Sequence, residues 1–373
     1  MEVGPSREPR TLTCGFLYMC AGYYDYDEGY LPDFPGVDQF VQGGGRLVHP
    51  QKWDNSIDYT GKRVVVIGSG ATAVTLGPAM AGKAAHVTML QRTPSYIMTL
   101  PSRDVIADFL RKFLPEGAAY TITRWKNVFL SWLIFTLSRH APDLVKRLMR
   151  GGVRAELGRE YDLKHFTPPY KPWDQRLCLV PDADLFRSIR SGKVSMVTDH
   201  IDTFTEKGIR LKSGQELAAD LVVSATGLKL QLVGGITLAV DGDEVDPPKA
   251  LVYKGMMLSD VPNFAFAVGY TNASWTLKCD LVTRYMCRLV NHMKHRNLGH
   301  CVPRTRGASV GGPIIDFSSG YIQRALNLLP KQGAHTPWKL YQNYALDLLT
   351  LRYGSVEDRY MEFADRGLQR KAT

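Results

Sequence analysis

The sequence predicts an α/β fold in which parallel strands alternate with helices. Three observations predict it. The apolar run Val64-Val65-Val66-Ile67 opens directly into Gly68-Ser69-Gly70-Ala71-Thr72-Ala73 and a helical stretch to residue 81. A second apolar strand, residues 86–90, follows at the spacing of one βαβ unit. The chain has 373 residues with 45% hydrophobic content and 34 glycines, a balance suited to cored α/β domains rather than to disordered or fibrous chains.

Ahead of that unit, residues 16–20 (FLYMC) predict a short strand ending at Ala21-Gly22. The next segment, to about Trp53, is rich in tyrosine and acidic residues. It carries Pro32, Pro35 and three consecutive glycines (43–45), and it reads as a connection between domains. Residues 62–67, 71–81 and 86–90 supply the strand, helix and strand of the βαβ unit. From 102 to about 160 the pattern turns helical, rich in Leu, Phe, Trp and Arg, and predicts a helical insert. Its longest apolar run, residues 128–137, is too short to span a bilayer and predicts a buried helix. Flanking Arg124, Lys126, Arg139, Lys146 and Arg147 keep peripheral membrane contact open. Tyr120, Trp125, Phe129 and Trp132 are expected in the core rather than lining a substrate pocket. After proline-broken residues 167–173 come a helix at 183–189, a strand at 194–197 and a hairpin around Gly208 and Gly214. A strand then runs into Ala225-Thr226-Gly227, another (264–268) ends at Gly269, and a helix covers 277–295. Beyond residue 296 the periodicity is weak.

The net charge of +10 is spread in short clusters such as Arg111-Lys112 and Lys146-Arg147, which excludes the long basic runs of nucleic-acid binders. Six cysteines show neither C-x-x-C spacing nor histidines at zinc distances, so they read as reduced thiols of a cytoplasmic protein with no metal site. Residues 1–10 are charged and proline-bearing, unlike a signal peptide.

The turn has the form G-x-G-x-x-A. Gly68 permits the tight bend, Gly70 lets a pyrophosphate approach the backbone, and Ala73 allows close helix–strand packing. The residue closing the second strand selects the cofactor. An acidic side chain there would hold the ribose of NAD; instead the chain has Gln91-Arg92-Thr93, with Arg92 24 positions after Gly68. A guanidinium suits a 2′-phosphate, so NADPH is preferred over NADH.

Two strand-end motifs, Cys20-Ala21-Gly22 and Ala225-Thr226-Gly227, flank this unit, and Gly45-Arg46-Leu47-Val48-His49-Pro50-Gln51-Lys52-Trp53 lies just upstream. Together they resemble the flavin-containing monooxygenases of Baeyer–Villiger type, whose signature is F-x-G-x-x-x-H-x-x-x-W/D. Residues 171–181, 253–258, 269–278 and 330–338 extend the resemblance over nearly the whole chain. Position 43 is Gly where the signature has phenylalanine, and Phe40 stands three residues earlier.

The resemblance implies interleaved FAD- and NADPH-binding Rossmann-like domains with a helical insert. It implies an FAD remnant and linker at 1–57, the NADPH domain at 58–225 with its insert at about 101–174, and a return to the FAD domain at 226–373. Family members begin with a flavin-binding βαβ unit of roughly a hundred residues, with its own glycine turn and a catalytic aspartate, so the resemblance implies that the FAD domain is truncated here, with that unit missing. The implied reaction has NADPH reduce FAD, which then takes up O2 and delivers oxygen to an apolar ketone or to thioamide or sulfide sulfur. Arg176 matches the family's catalytic arginine, which steadies the oxygenated flavin and NADP. His49 and Trp53 match the hinge of the signature loop, and Gly22, Thr226, Gly227 and Asn272 fall beside the cofactors. Two alternatives stay open at this point: an inactive fragment of such an enzyme, and a flavoprotein reductase acting on pyridine nucleotides.

Overall fold

The computed structural model describes residues 2–3, 8–175 and 177–365. The chain divides into two compact units, one of residues 25–229 and 317–323, the other of 1–24, 230–316 and 324–373.

Five parallel strands form the centre of the first unit, in the order Val194–Thr198, His86–Gln91, Arg63–Ile67, Leu221–Ser224, Arg46–Val48. The middle strand explains why the sequence reads as an unbroken β-branched run: it is buried on both faces. Val64 and Val66 enter one core with Ala73, Val74, Met89, Leu185 and Val223. Val65 and Ile67 enter the other with Phe40, Leu90, Phe204, Ile209 and Val222. Alternate residues of one strand thus serve two layers. Helix Ala71–Met80 covers the first face. It sits so close at Gly77 that an added Cβ would lie 2.7 Å from the Met89 sulfur. The second face is covered by helix Val37–Gln42 and an antiparallel sheet of Ile201–Thr205, Gly208–Leu211 and Glu216–Ala218.

Three differences from the sequence expectations stand out. Residues 22–53 are not a plain connection: Arg46–Val48 is the edge strand of the central sheet, paired with Leu221–Val223. Residues 25–57 accordingly cluster with the nucleotide unit. Ile97–Leu100 and Cys178–Pro181, to which the sequence pattern assigned no element, pair in parallel and bracket the helical insert. The insert itself, helices Val105–Phe113, Glu116–His140 and Pro142–Leu157, corrects the expectation of a buried helix. In Glu116–His140 only Ala119 and Ser138 are buried, and Tyr120, Trp125, Phe129 and Trp132 are exposed rather than core. The helix packs through Ala119, Ser138 and Phe135, the last against Trp173, while Tyr120, Trp125, Phe129 and Trp132 stay 44–61% exposed.

In the second unit, Leu17–Met19 pairs in parallel with Phe264–Phe266, and Leu298–Pro303 pairs antiparallel with Met361–Asp365. Helix Trp275–His295 lays Leu281, Tyr285 and Leu289 into a core with Tyr253, Met257 and Trp338.

Candidate functional site

The glycine turn joins strand Arg63–Ile67 to helix Ala71–Met80. Gly68 takes φ 140° and its N–H donates to Leu90 O at 2.8 Å. A Cβ there would also strike the Ala225 carbonyl, so both the dihedral and the close approach demand glycine. Gly70 precedes the helix in extended conformation, without a side-chain cap, and a Cβ on it would meet nothing within 4 Å. The uncapped helix start beside open space is what an anion requires: spare N–H donors and the positive dipole end. Ala73 is wholly buried. Ser69 is fixed by Ser95 (Oγ–Oγ 3.0 Å) and by the Cys178 thiol on its carbonyl (3.6 Å).

Arg92 leaves the end of strand His86–Gln91, exposed and without an ion pair or hydrogen bond among the described residues. Thr93 beside it is half-buried. What anchors this strand end escaped the sequence reading. Gln91, 2% exposed, donates from Nε2 to His165 O (2.7 Å) and to Thr198 Oγ1 (2.9 Å). Thr198 Oγ1 lies 2.7 Å from His165 Nδ1. Burial, the main cause, holds the His165 imidazole below its ordinary pKa. The His165–Thr198 pair is a hydrogen bond whichever ring nitrogen carries the proton of the neutral imidazole.

The structure brings together three residues singled out from the sequence. His49 Nδ1 accepts from Gln51 N (3.2 Å), which leaves the proton on Nε2, and Nε2 then donates to Gly227 O at 3.0 Å. Gly227 O also accepts from Tyr30 N (3.1 Å), while Thr226 Oγ1 donates to Tyr30 O (2.6 Å). Gln51 closes the knot with a 2.7 Å bond to Asp25 O. A Cβ on Gly29 would overlap the His49 ring, so this glycine makes room for the histidine. Phe40 is fully buried, with its ring against Gly45, where a Cβ would also overlap it. The displaced phenylalanine therefore still packs on the signature glycine.

Trp53 does not join the knot. It packs on the sheet core and meets Tyr59 edge to face at 5.9 Å between centroids. Arg176 lies outside the described residues. The turn just before it is well held: Asp174 accepts from Arg139 (3.0 Å) and from Lys171 N (3.1 Å). The Asp174 carbonyl accepts from both Ser318 N and Ser318 Oγ at 3.0 Å. Trp173 takes φ 68° and meets Phe135 edge to face.

In the second unit, Gly22 takes φ 71°. Asn272 is buried and donates to Gln342 O at 2.8 Å, while its Oδ1 has no partner among the described residues. Near it lies a buried trio absent from the sequence expectations. Lys278 Nζ and Tyr270 OH both reach Asp347 Oδ2, at 2.8 and 2.6 Å. Burial pushes the Lys278 ammonium below its ordinary pKa, against the pull of Asp347.

Residues 15–233 match the flavin-binding monooxygenase-like family. The chain is 52% identical over 358 residues to the FAD-containing monooxygenase EthA of Mycobacterium tuberculosis, covering 95% of this chain and 73% of that one. To the FAD-containing monooxygenase EthA of Mycolicibacterium smegmatis it is 48% identical over 359 residues, 95% of this chain and 72% of that one. Among solved structures, oxidised steroid monooxygenase bound to NADP superposes with a TM-score of 0.68 at 17% identity, covering 94% of this chain and 75% of that one. The complex of OTEMO with FAD and NADP gives 0.66 at 17% identity, with 95% and 77% covered. These two likenesses establish the shared α/β fold, and the sequence matches establish descent: the chain belongs to the flavin-binding monooxygenase-like family.

Proposed function

We propose that this chain is an FAD- and NADPH-dependent monooxygenase of Baeyer–Villiger type, which oxygenates small apolar ketones or thioamide and sulfide sulfur. The observation that carries the reading is its 52% identity, across 95% of its length, to an FAD-containing monooxygenase.

The residues fit NADPH. The open, uncapped start of helix Ala71–Met80 suits the pyrophosphate, and unpaired Arg92, projecting from anchored Gln91, suits a 2′-phosphate. Asn272 Oδ1, a buried acceptor with no donor among the described residues, suits a group that brings an N–H, as the flavin ring does. When bound, NADPH supplies two electrons and the flavin supplies the activation of O2. The protein's part is to bind and to orient. Residues 58–225 carry the NADPH site. His49 ties the signature loop to Thr226-Gly227, so that a shift of one is felt by the other. Arg176 contributes a positive charge for oxygen transfer.

The test is the visible spectrum of the purified chain after FAD is added and free flavin removed. Retained flavin absorption that bleaches with NADPH, and NADPH oxidation quickened by a methyl ketone or a thioamide, is the expected result. Absence of retained flavin, or no bleaching, overturns the proposal for this chain.

A further inference from the structure

The helical insert turns an apolar face outward. In helix Val105–Phe113, Val105, Ile106, Phe109 and Phe113 are 73%, 55%, 60% and 70% exposed. At 3.6 residues per turn these four fall on one narrow stripe, and Ala107, the buried residue, lies on the far side. Helix Glu116–His140 repeats the arrangement: exposed Ile122, Trp125, Phe129 and Trp132 follow the i, i+3, i+7, i+10 spacing of one stripe. Helix Pro142–Leu157 adds exposed Leu144 and Leu148, one turn apart. An amphipathic helix normally buries its apolar stripe; here the stripes face solvent, which marks an interaction surface.

We propose that this surface docks the protein on an anionic lipid bilayer. Charge selects the occupant. The three helices hold nine Lys and Arg against four Asp and Glu, half of the whole chain's net +10. Arg111 and Lys112 close the first helix beside the Phe109–Phe113 pair, and Lys146 and Arg147 flank Leu148. Apolar and aromatic side chains rimmed by cations are the composition of helices that lie in a membrane interface. A second copy of the chain on this face would set the two positive patches against each other. No helix among the described residues is long and apolar enough to cross a membrane, so the contact is peripheral. Docking there would put the protein where apolar substrates concentrate.

The experiment is flotation of the full chain with phosphatidylcholine vesicles, with and without phosphatidylglycerol. It needs no turnover, so its failure is separate from failure of the proposed chemistry. The chain is expected to float with phosphatidylglycerol vesicles, less so as salt rises, with a blue shift of tryptophan fluorescence. The double variant Phe109→Ser, Phe113→Ser changes exposed positions, and circular dichroism checks that its fold is intact. It is expected to bind about tenfold or more weakly. Lys112→Glu with Arg147→Glu is expected to abolish the preference for phosphatidylglycerol. No flotation, or unchanged flotation of Phe109→Ser, Phe113→Ser, overturns the proposal. So does a wild-type oligomer that this variant dissociates in light scattering, which would assign the face to a second copy.

Discussion

Gly29 and His49 form a pair whose coupling is measurable. Gly29 lies outside the left-handed region, so its backbone accepts alanine; the obstacle is the His49 ring, which occupies the space of the new methyl. Gly29→Ala therefore forces the ring out. That breaks the bonds to Gln51 N and Gly227 O. Each bond is worth about 1 kcal/mol net, so His49→Ala alone is expected to cost about 2 kcal/mol. Gly29→Ala adds the strain of a crowded site, about 1–3 kcal/mol, to the same losses. In the double variant the methyl enters the space the imidazole vacated. Its cost is expected to match that of His49→Ala alone, a coupling of about 3–5 kcal/mol, the whole cost of Gly29→Ala. Urea midpoints at constant m measure all three. If Gly29→Ala costs as much with His49 absent as with it present, the two do not share that space, and the tie between the signature loop and Gly227 is refuted.

Other perturbations test the site from different sides. Arg92→Ala is expected to raise the KM for NADPH about tenfold or more while leaving that for NADH unchanged, since it removes a charge-assisted contact to the 2′-phosphate alone; equal effects on both cofactors in steady-state assays would contradict the assignment. Burial depresses the folded-state pKa of His165 below its unfolded value. The neutral ring thus stabilises the fold above about pH 6.5, and that contribution is lost as pH falls through the folded value. His165→Asn is expected to remove part of the stability difference between about pH 7 and pH 5, read as urea midpoints. Lys278→Met leaves Asp347 buried with the Tyr270 hydroxyl in place of its cation. It is expected to cost about 3–5 kcal/mol, and a cost below about 1 kcal/mol would reduce the pair to the rank of a surface ion pair.

What the sequence made legible, and what it hid, follows from where each interaction partner lies along the chain. The turn at Gly68 is local: strand, glycines and helix are contiguous, and burial on both faces writes Val64 to Ile67 as an unbroken apolar run. Arg46–Val48 has only three residues, too few for any alternation, and exists as a strand because Leu221–Val223 lies beside it. Gln91, His165 and Thr198 lie up to 107 positions apart, and no motif joins them. Within one motif, His49 and Trp53 part company, the first turning to Gly227, the second to the sheet core. Spacing revealed the loop but not the direction of each side chain. The insert carries the strongest lesson. Periodicity reports that Ile122, Trp125, Phe129 and Trp132 share a stripe, yet a stripe specifies a partner surface without saying whether the chain itself supplies it. The sheet supplies that surface to Leu185 and Phe186, which are buried. On the aromatic side of the insert Ile122, Trp125, Phe129 and Trp132 stay 44–55% exposed. That difference is why the same kind of pattern means core in one helix and an outward-facing interface in another.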